Sequence, residues 1–440
     1  MLRPNRVWLL LGGNVALLAV LALACGGEDE DGQGAQTPVA SGTASGTPLS
    51  TQTAVTTATT GEVPGITPTE IILGSHFVQT GTWGAAFAPV LRGLQAYFNY
   101  VNTEKGGVCG RKIVLKAEDD NYDPARAIEV TRKLVEQDKI FAMVAGLGTA
   151  AHQAVWDYLN ERGIPDLWVM SGAHMWNDPE GHPWTVGFLP DYFVEGTIFG
   201  KYISENLPDK KVGILYQNDD WGDDVLKGLQ NGLDAGKNEL VSPQSYESTA
   251  IDVRSQLANI RQAGAEVVVC ACLPGTAATA IKGANNMGWK PQWFIDYVNS
   301  DPIIFQYASP KDVEGTLTMQ SNKLITEADE PAIANHIEIM KKYGTMAPGN
   351  YTAVGQVAGQ LMEEALNRSC NNLTRRGLMD AVESMHDFQT PPSTNLGLEG
   401  ISINITPDDH LAVETMRFLR AKVVDGKGVW EYEGDLISFR

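Results

Sequence analysis

The apolar residues of this chain fall into two kinds of run that alternate. Short blocks without internal alternation, such as IIL from Ile71, KIVLKAED from Lys112 and IFAMVAGLGT from Ile140, read as strands of a parallel sheet, the last buried on both faces. Between them lie stretches with apolar residues at helical spacing, among them ARAIEVTRKLVEQD and AAHQAVWDYLNERG. Asp123 followed by Pro124 supplies an N-cap and a first-turn proline for the earlier of these helices. The rhythm restarts after Phe188-Leu189-Pro190 with helix EGTIFGKYISENL, strand KKVGILYQ and loop NDDWGDD. It continues through strand AEVVVCACL, helix TAATAIKGANNMG and strand Trp293-Phe294-Ile295, after which the pattern loosens. Helices over Ala353–Arg368 and Arg375–Met385 precede strand segments GISINIT, MRFLRAKVVDGK and VWEYE. Strands alternating with helices predict an α/β fold, here two doubly wound units in series. Ligands of such sheets sit at the carboxyl ends of the strands, so two facing units share one cleft.

Two of those strand ends carry candidate chemistry. After IFAMVAGLGT the chain turns at Gly146, Gly148 and Thr149 straight into a helix. Unpaired backbone N–H groups, a hydroxyl and the positive end of a helix dipole then converge, which suits a carboxylate or phosphate. The strand Asp166–Met170 ends in the same way, in Ser171-Gly172-Ala173.

The ends of the chain differ from its middle. Arg3 and Arg6 precede the apolar stretch Val7 to Ala24, which reads as a signal peptide over 1–24. Cys25-Gly26-Gly27 resembles the end of a bacterial lipobox, with Cys25 as the lipidated residue, although Ala22 stands where leucine is preferred. An uncleaved membrane anchor is the alternative, and either reading leaves the remainder extracytoplasmic and tethered to the cell membrane. Residues 25–63, rich in Thr, Ser, Gly and Pro, cannot bury enough apolar surface to order themselves and read as a disordered linker. A net charge of −20 over 440 residues argues against nucleic acid and anionic membrane surfaces as partners.

The run GGVCGRKIVLKAEDDNYDPARAIEVTRKLVEQDKIFAMVAGLGT closely resembles the branched-chain-amino-acid (Leu/Ile/Val) binding proteins of ABC transporters. KKVGILYQNDDWGDDVLKGL, AEVVVCACLPGTAATAIKGANNMGWKPQW and a C-terminal W-x-Y segment resemble them too, so that the likeness runs from about Val63 to the end. The resemblance implies a type I periplasmic-binding fold, two Rossmann-like lobes joined by three crossovers that close over a ligand. It places 64–188 with 298–405 in the first lobe, and 189–297 with 406–440 in the second. It implies a grip on the ligand carboxylate at Gly148, Thr149, Ser171, Gly172 and Ala173, and an aromatic contact at Trp221. Trp83, His174, Trp176 and Tyr192 fall on expected cleft loops and favour a flat or bulky apolar guest. Where family members usually offer an acid to the ligand ammonium, this chain has Pro274-Gly275-Thr276. Thr276 is therefore a candidate contact, and Asp219, Asp220 or Asp296 a substitute acid. The missing acid adds weight to a ligand without an ammonium, such as an aromatic or aliphatic acid or an amide.

Sharper chemical readings are weaker. Gly146 to Ala151 fits the dinucleotide pattern G-x-G-x-x-A, but it is not in the first strand–helix unit and the compartment offers little cofactor, so no cofactor is expected. His174, Asp178, Glu180 and His182 could be drawn as a metal site, and Glu118 to Asp123 as a calcium site, yet turn, cap and rim roles explain both, and no metal is expected. Asp219, Asp220, Asp223 and Asp224 flank a helix start, where capping explains them. Cys109 and Cys370 fall in first-lobe loops in an oxidising compartment and are expected to form a disulfide. Cys270 and Cys272, two apart on a strand, are expected as small buried residues that do not bond each other. No nucleophile–base motif is present, and the chain reads as no enzyme. The expectation is a monomeric solute-binding lipoprotein that hands a small carboxylate or amide to the permease and ATPase subunits of an importer. A ligand sensor that signals to a membrane partner is the alternative.

Overall fold

The computed structural model describes residues 62–250, 252–398 and 402–439. The expected signal peptide, Cys25 and nearly all of the linker lie outside the described residues. Among the described residues no helix is long and apolar enough to cross a membrane.

The first sheet is built from β1 (Glu70–Phe77), β2 (Lys112–Asp119), β3 (Ala142–Val144), β4 (Asp166–Val169) and β5 (Thr185–Gly187), all parallel, in the order β2-β1-β3-β4-β5. Its connections are α1 (Gly81–Glu104), α2 (Pro124–Glu136) and α3 (Thr149–Glu161). Asp123 does cap α2, its Oδ1 accepting from the Ala125 and Arg126 amides at 2.8 and 3.2 Å. β3 is wholly buried, so its continuous apolar run reflects packing on both faces. β4 carries a register shift at Trp168, a fully buried residue with φ of 62°. Such a bulge bends a strand and re-aims the residues beyond it, here Met170-Ser171.

The second sheet holds β6 (Lys211–Gln217), β7 (Glu239–Tyr246), β8 (Val267–Ala271), β9 (Gln292–Ile295), β10 (Leu317–Gln320), β11 (Thr415–Val424) and β12 (Lys427–Ser438), in the order β12-β11-β10-β9-β8-β6-β7. α4 (Tyr192–Asn206), α5 (Asp220–Gly232), α6 (Arg254–Gln262) and α7 (Pro274–Asn286) connect its parallel part. Two single-turn helices come next, α8 (Ile304–Tyr307) and α9 (Pro310–Val313). After β10 the chain returns to the first lobe as α10 (Pro331–Tyr343), α11 (Asn350–Ser369) and α12 (Arg375–Val382), with α10 and α11 packed on α1.

Two sequence expectations need correction. The second crossover comes after β10, at residues 321–323, and not near residue 298. Leu317–Gln320 pairs parallel with β9 and antiparallel with β11, so it belongs to the second sheet although the resemblance placed it in the first lobe. A buried four-residue strand has no alternation to announce it. The second correction concerns Cys270 and Cys272, whose sulfurs are bonded to each other. β8 ends at Ala271, so Cys272 leaves strand geometry and the Cα atoms come within 5.2 Å, inside the range a disulfide needs.

Cys109 and Cys370 are also bonded, with Cα atoms 5.3 Å apart across a sequence separation of 261. This bridge ties the loop before β2 to the end of α11. Replacing both with serine is expected to lower unfolding stability by about 2–5 kcal/mol, read in urea titrations. An unchanged midpoint would show that the crosslink does nothing for the fold.

Candidate functional site

Between the lobes lies a narrow cleft with closely set walls. All three crossovers contribute, through Leu189-Pro190, Ser321-Asn322 and Val413, so this space sits directly on the hinge. The lobes also touch across it. Tyr122 Oη accepts from Gln217 Nε2 at 3.4 Å, and the His174 amide donates to Asp224 Oδ2 at 2.8 Å. Burial raises the Asp224 carboxyl to about 6, and the hydrogen bond to Asp191 raises His174.

At one end of the cleft is the start of α3. Gly148 has φ of 101°, and a Cβ there would lie 2.8 Å from Tyr122 Cε2, so both backbone and packing require glycine. No side chain caps the helix, which leaves first-turn N–H groups without an intrahelical acceptor. Thr149 Oγ1 meets Ser171 Oγ at 2.7 Å, and Ser171 Oγ accepts from the Ala173 amide at 3.3 Å. When Ser171 donates to Thr149, the threonine hydroxyl proton is left for a guest. Beneath this loop four fully buried side chains form a chain of hydrogen bonds. Asp120 Oδ2 meets His76 Nδ1 at 2.7 Å, His76 Nε2 meets His152 Nδ1 at 2.8 Å, and His152 Nε2 meets Asp166 Oδ2 at 2.8 Å. They lock β1, β4 and α3 together below the binding loop.

The opposite wall is aromatic. Tyr192 stacks on Tyr297 with centroids 5.4 Å apart and stands 5.6 Å from Trp221. Two acids behind these rings hold them. Asp296, fully buried, accepts from Trp221 Nε1 at 2.7 Å and from the Val298 amide at 2.9 Å. Glu195 Oε1, also fully buried, accepts from the Tyr297 amide at 2.8 Å. Burial first, and the Asp296 charge second, push the Glu195 carboxyl well above its usual range. Burial raises Asp296 to about 6 despite the hydrogen bonds it receives. Of the two acids, Glu195 is the more strongly raised.

Of the residues expected at the site, Gly148, Thr149, Tyr192 and Trp221 line the cleft. Ser171 stands one hydrogen bond behind Thr149. Gly172 is wedged so that a Cβ would meet the Pro190 carbonyl at 2.1 Å, and its role is close packing at the hinge. Ala173 is buried outside the lining. Trp83 does not line the cleft and lies against Gly275 at the start of α7. Thr276 is fully buried in α7, and Asp296 sits behind Trp221. Asp219 caps α5 through the Gly222 amide at 3.2 Å. His174 is exposed at the rim, while Trp176 is buried edge-on to His152 and Trp156. His182 is held by Asp178 and Asp157.

The sequence reading missed Tyr122, Tyr297, Tyr351, Val413 and the Gln320–Asn322 segment. Gln320 Nε2 is buried without a partner, at 5% exposure of the residue. No aspartate, glutamate, lysine, arginine or histidine lines the cleft among the described residues.

The periplasmic binding protein family model matches residues 70–428. A Leu/Ile/Val-binding protein homolog 2 from Brucella abortus (strain 2308) is 27% identical over 375 residues, covering 82% of this chain and 94% of its own. Among solved structures, a fatty acid ABC transporter substrate-binding protein from Thermomonospora curvata aligns with a TM-score of 0.74 at 22% identity, covering 84% of this chain and 94% of its own. A branched-chain amino acid ABC transporter protein from Thermus thermophilus with bound valine aligns at 0.72 and 23%, covering 84% and 96%. The two-lobed architecture, the hinge-borne cleft and the match over most of the chain converge: the chain belongs to the periplasmic binding protein family and is a solute-binding protein, not an enzyme.

Proposed function

We propose that this protein is the extracytoplasmic receptor of an ABC importer and captures a small apolar carboxylate or amide that carries no ammonium group. The observation that carries the reading is a cleft walled by aromatic rings, with free N–H groups at the start of α3 and no charged side chain in its lining. An amino acid enclosed here would bury its ammonium without an acid beside it, at a cost of several kcal/mol. A carboxylate alone loses less, because the helix N-terminus and the Thr149 hydroxyl face it. The Thermomonospora neighbour, named for a fatty acid, indicates that this fold accommodates guests without an ammonium. Closure of the lobes on the guest would present one rigid surface to the permease, with Cys25 as the lipid tether.

Thermal shifts of residues 60–440, which form one compact unit, test the reading. Matched pairs are compared: leucine with 4-methylpentanoate, and phenylalanine with 3-phenylpropionate. The deaminated member is expected to raise the melting temperature by mass action and the amino acid to do so weakly. Leucine stabilising as strongly as 4-methylpentanoate would refute the argument. Thr149→Val, nearly isosteric, is expected to weaken the stabilising acid by roughly tenfold or more, the worth of a hydrogen bond to a charged group. Calorimetry showing unchanged affinity would place the carboxylate elsewhere.

A further inference from the structure

A second cavity adjoins the main cleft at the hinge, lined by Val357, Gln360 and Leu361 of α11 and by residues 388–390, 395–397 and 403. Three residues, Ser321, Asn322 and Val413, line both cavities. All three belong to crossovers. The crossover after β10 is zipped to the segment around Gly397, the Lys323 amide donating to the Leu396 carbonyl at 2.8 Å and the Leu398 amide to the Ser321 carbonyl at 3.0 Å. The inner walls of the second cavity are largely apolar, with Val357 and Leu361 on α11 facing Phe388, Leu396 and Ile403. It has no Asp, Glu, Lys, Arg or His in its lining among the described residues. At the junction Gln320 presents a buried amide nitrogen with no partner.

An uncharged, largely apolar space that shares wall residues with a ligand cleft has the character of a tail site. We propose that the ligand is an acid with an extended apolar chain, its carboxylate at the start of α3 and its chain passing Ser321, Asn322 and Val413 into the second cavity. This rests on the proposed carboxylate receptor and narrows its ligand class. It also gives the hinge a role in selection, since the chain lies between two crossovers that must move when the lobes open.

Calorimetry with straight-chain monocarboxylates from four to sixteen carbons tests it. Affinity is expected to rise about fourfold for each methylene buried, and to keep rising beyond hexanoate until the second cavity is full. Val357→Phe, which fills the second cavity from a residue outside the main cleft, is expected to weaken decanoate at least tenfold and to leave hexanoate within about twofold. Phe388→Ala, which enlarges it, is expected to move the optimum to longer chains, so the test survives if one variant fails to fold. Affinity that levels off at hexanoate, or a Val357→Phe variant that weakens both acids equally, overturns the tail site and leaves the carboxylate receptor standing. Failure of every straight-chain acid to bind overturns the tail site, and the carboxylate receptor falls with it if 4-methylpentanoate and 3-phenylpropionate also leave the melting temperature unchanged.

Discussion

Trp221→Ala is expected to weaken the stabilising acid by roughly 30- to 1000-fold, the range of a buried aromatic hot spot. The ring is only 2% exposed, forms one face of the cleft and stands 5.6 Å from Tyr192. Its removal opens that face of the cleft to water. It also takes a donor from the Asp296 carboxylate, which then keeps only the Val298 amide. The two effects are separable. Trp221→Phe retains most of the apolar face and loses the indole N–H, so its binding deficit should be about tenfold. Its stability deficit of about 1–3 kcal/mol reflects the unsatisfied acid. Calorimetry and urea titration on both variants read the two quantities. A Trp221→Ala protein that binds within threefold of the parent would show that the guest does not touch this wall.

What the sequence disclosed depended on how local each signal was. The start of α3 was legible because Gly148-Thr149 compresses a strand end, a positive φ and a helix start into a few adjacent residues. Trp221 was legible only through the resemblance, which implied an aromatic contact soon after β6. Asp296 was misplaced for a physical reason: an acid one residue past a strand looks available, yet here burial and the indole of Trp221 enclose it. The crossover residues Ser321, Asn322 and Val413 left no signal, since hinge segments lack periodicity and their wall exists only once both lobes are assembled. The same holds for the buried chain of Asp120, His76, His152 and Asp166. Its links join residues 44, 76 and 14 positions apart, and no pattern along the chain pairs them.

Glu195→Gln is expected to make the protein more stable than its parent by an amount that grows with pH. Glu195 ordinarily titrates near 4.5, and in the fold burial and the neighbouring Asp296 charge raise it well above that. A raised carboxyl favours folding when protonated. Its stabilising protonation is therefore fully present below about 4.5 and is lost as pH rises, at about 1.4 kcal/mol per pH unit until the folded-state value is passed. Asp296, raised to about 6, adds a loss between pH 4 and 6 that parent and variant share. Glutamine keeps the Tyr297 contact, since its carbonyl accepts from that amide, and it cannot ionise. Urea titrations at pH 5, 7 and 9 should show the variant's advantage widening with pH. An advantage constant across that range would mean that the fold does not raise Glu195. Binding obeys the same logic, because a second buried negative charge behind Trp221 and Tyr297 pushes the two acids apart and loosens the wall they hold. The parent's affinity for a stabilising acid should thus fall more steeply at alkaline pH than that of Glu195→Gln, which links the aromatic wall to a proton the ligand never meets.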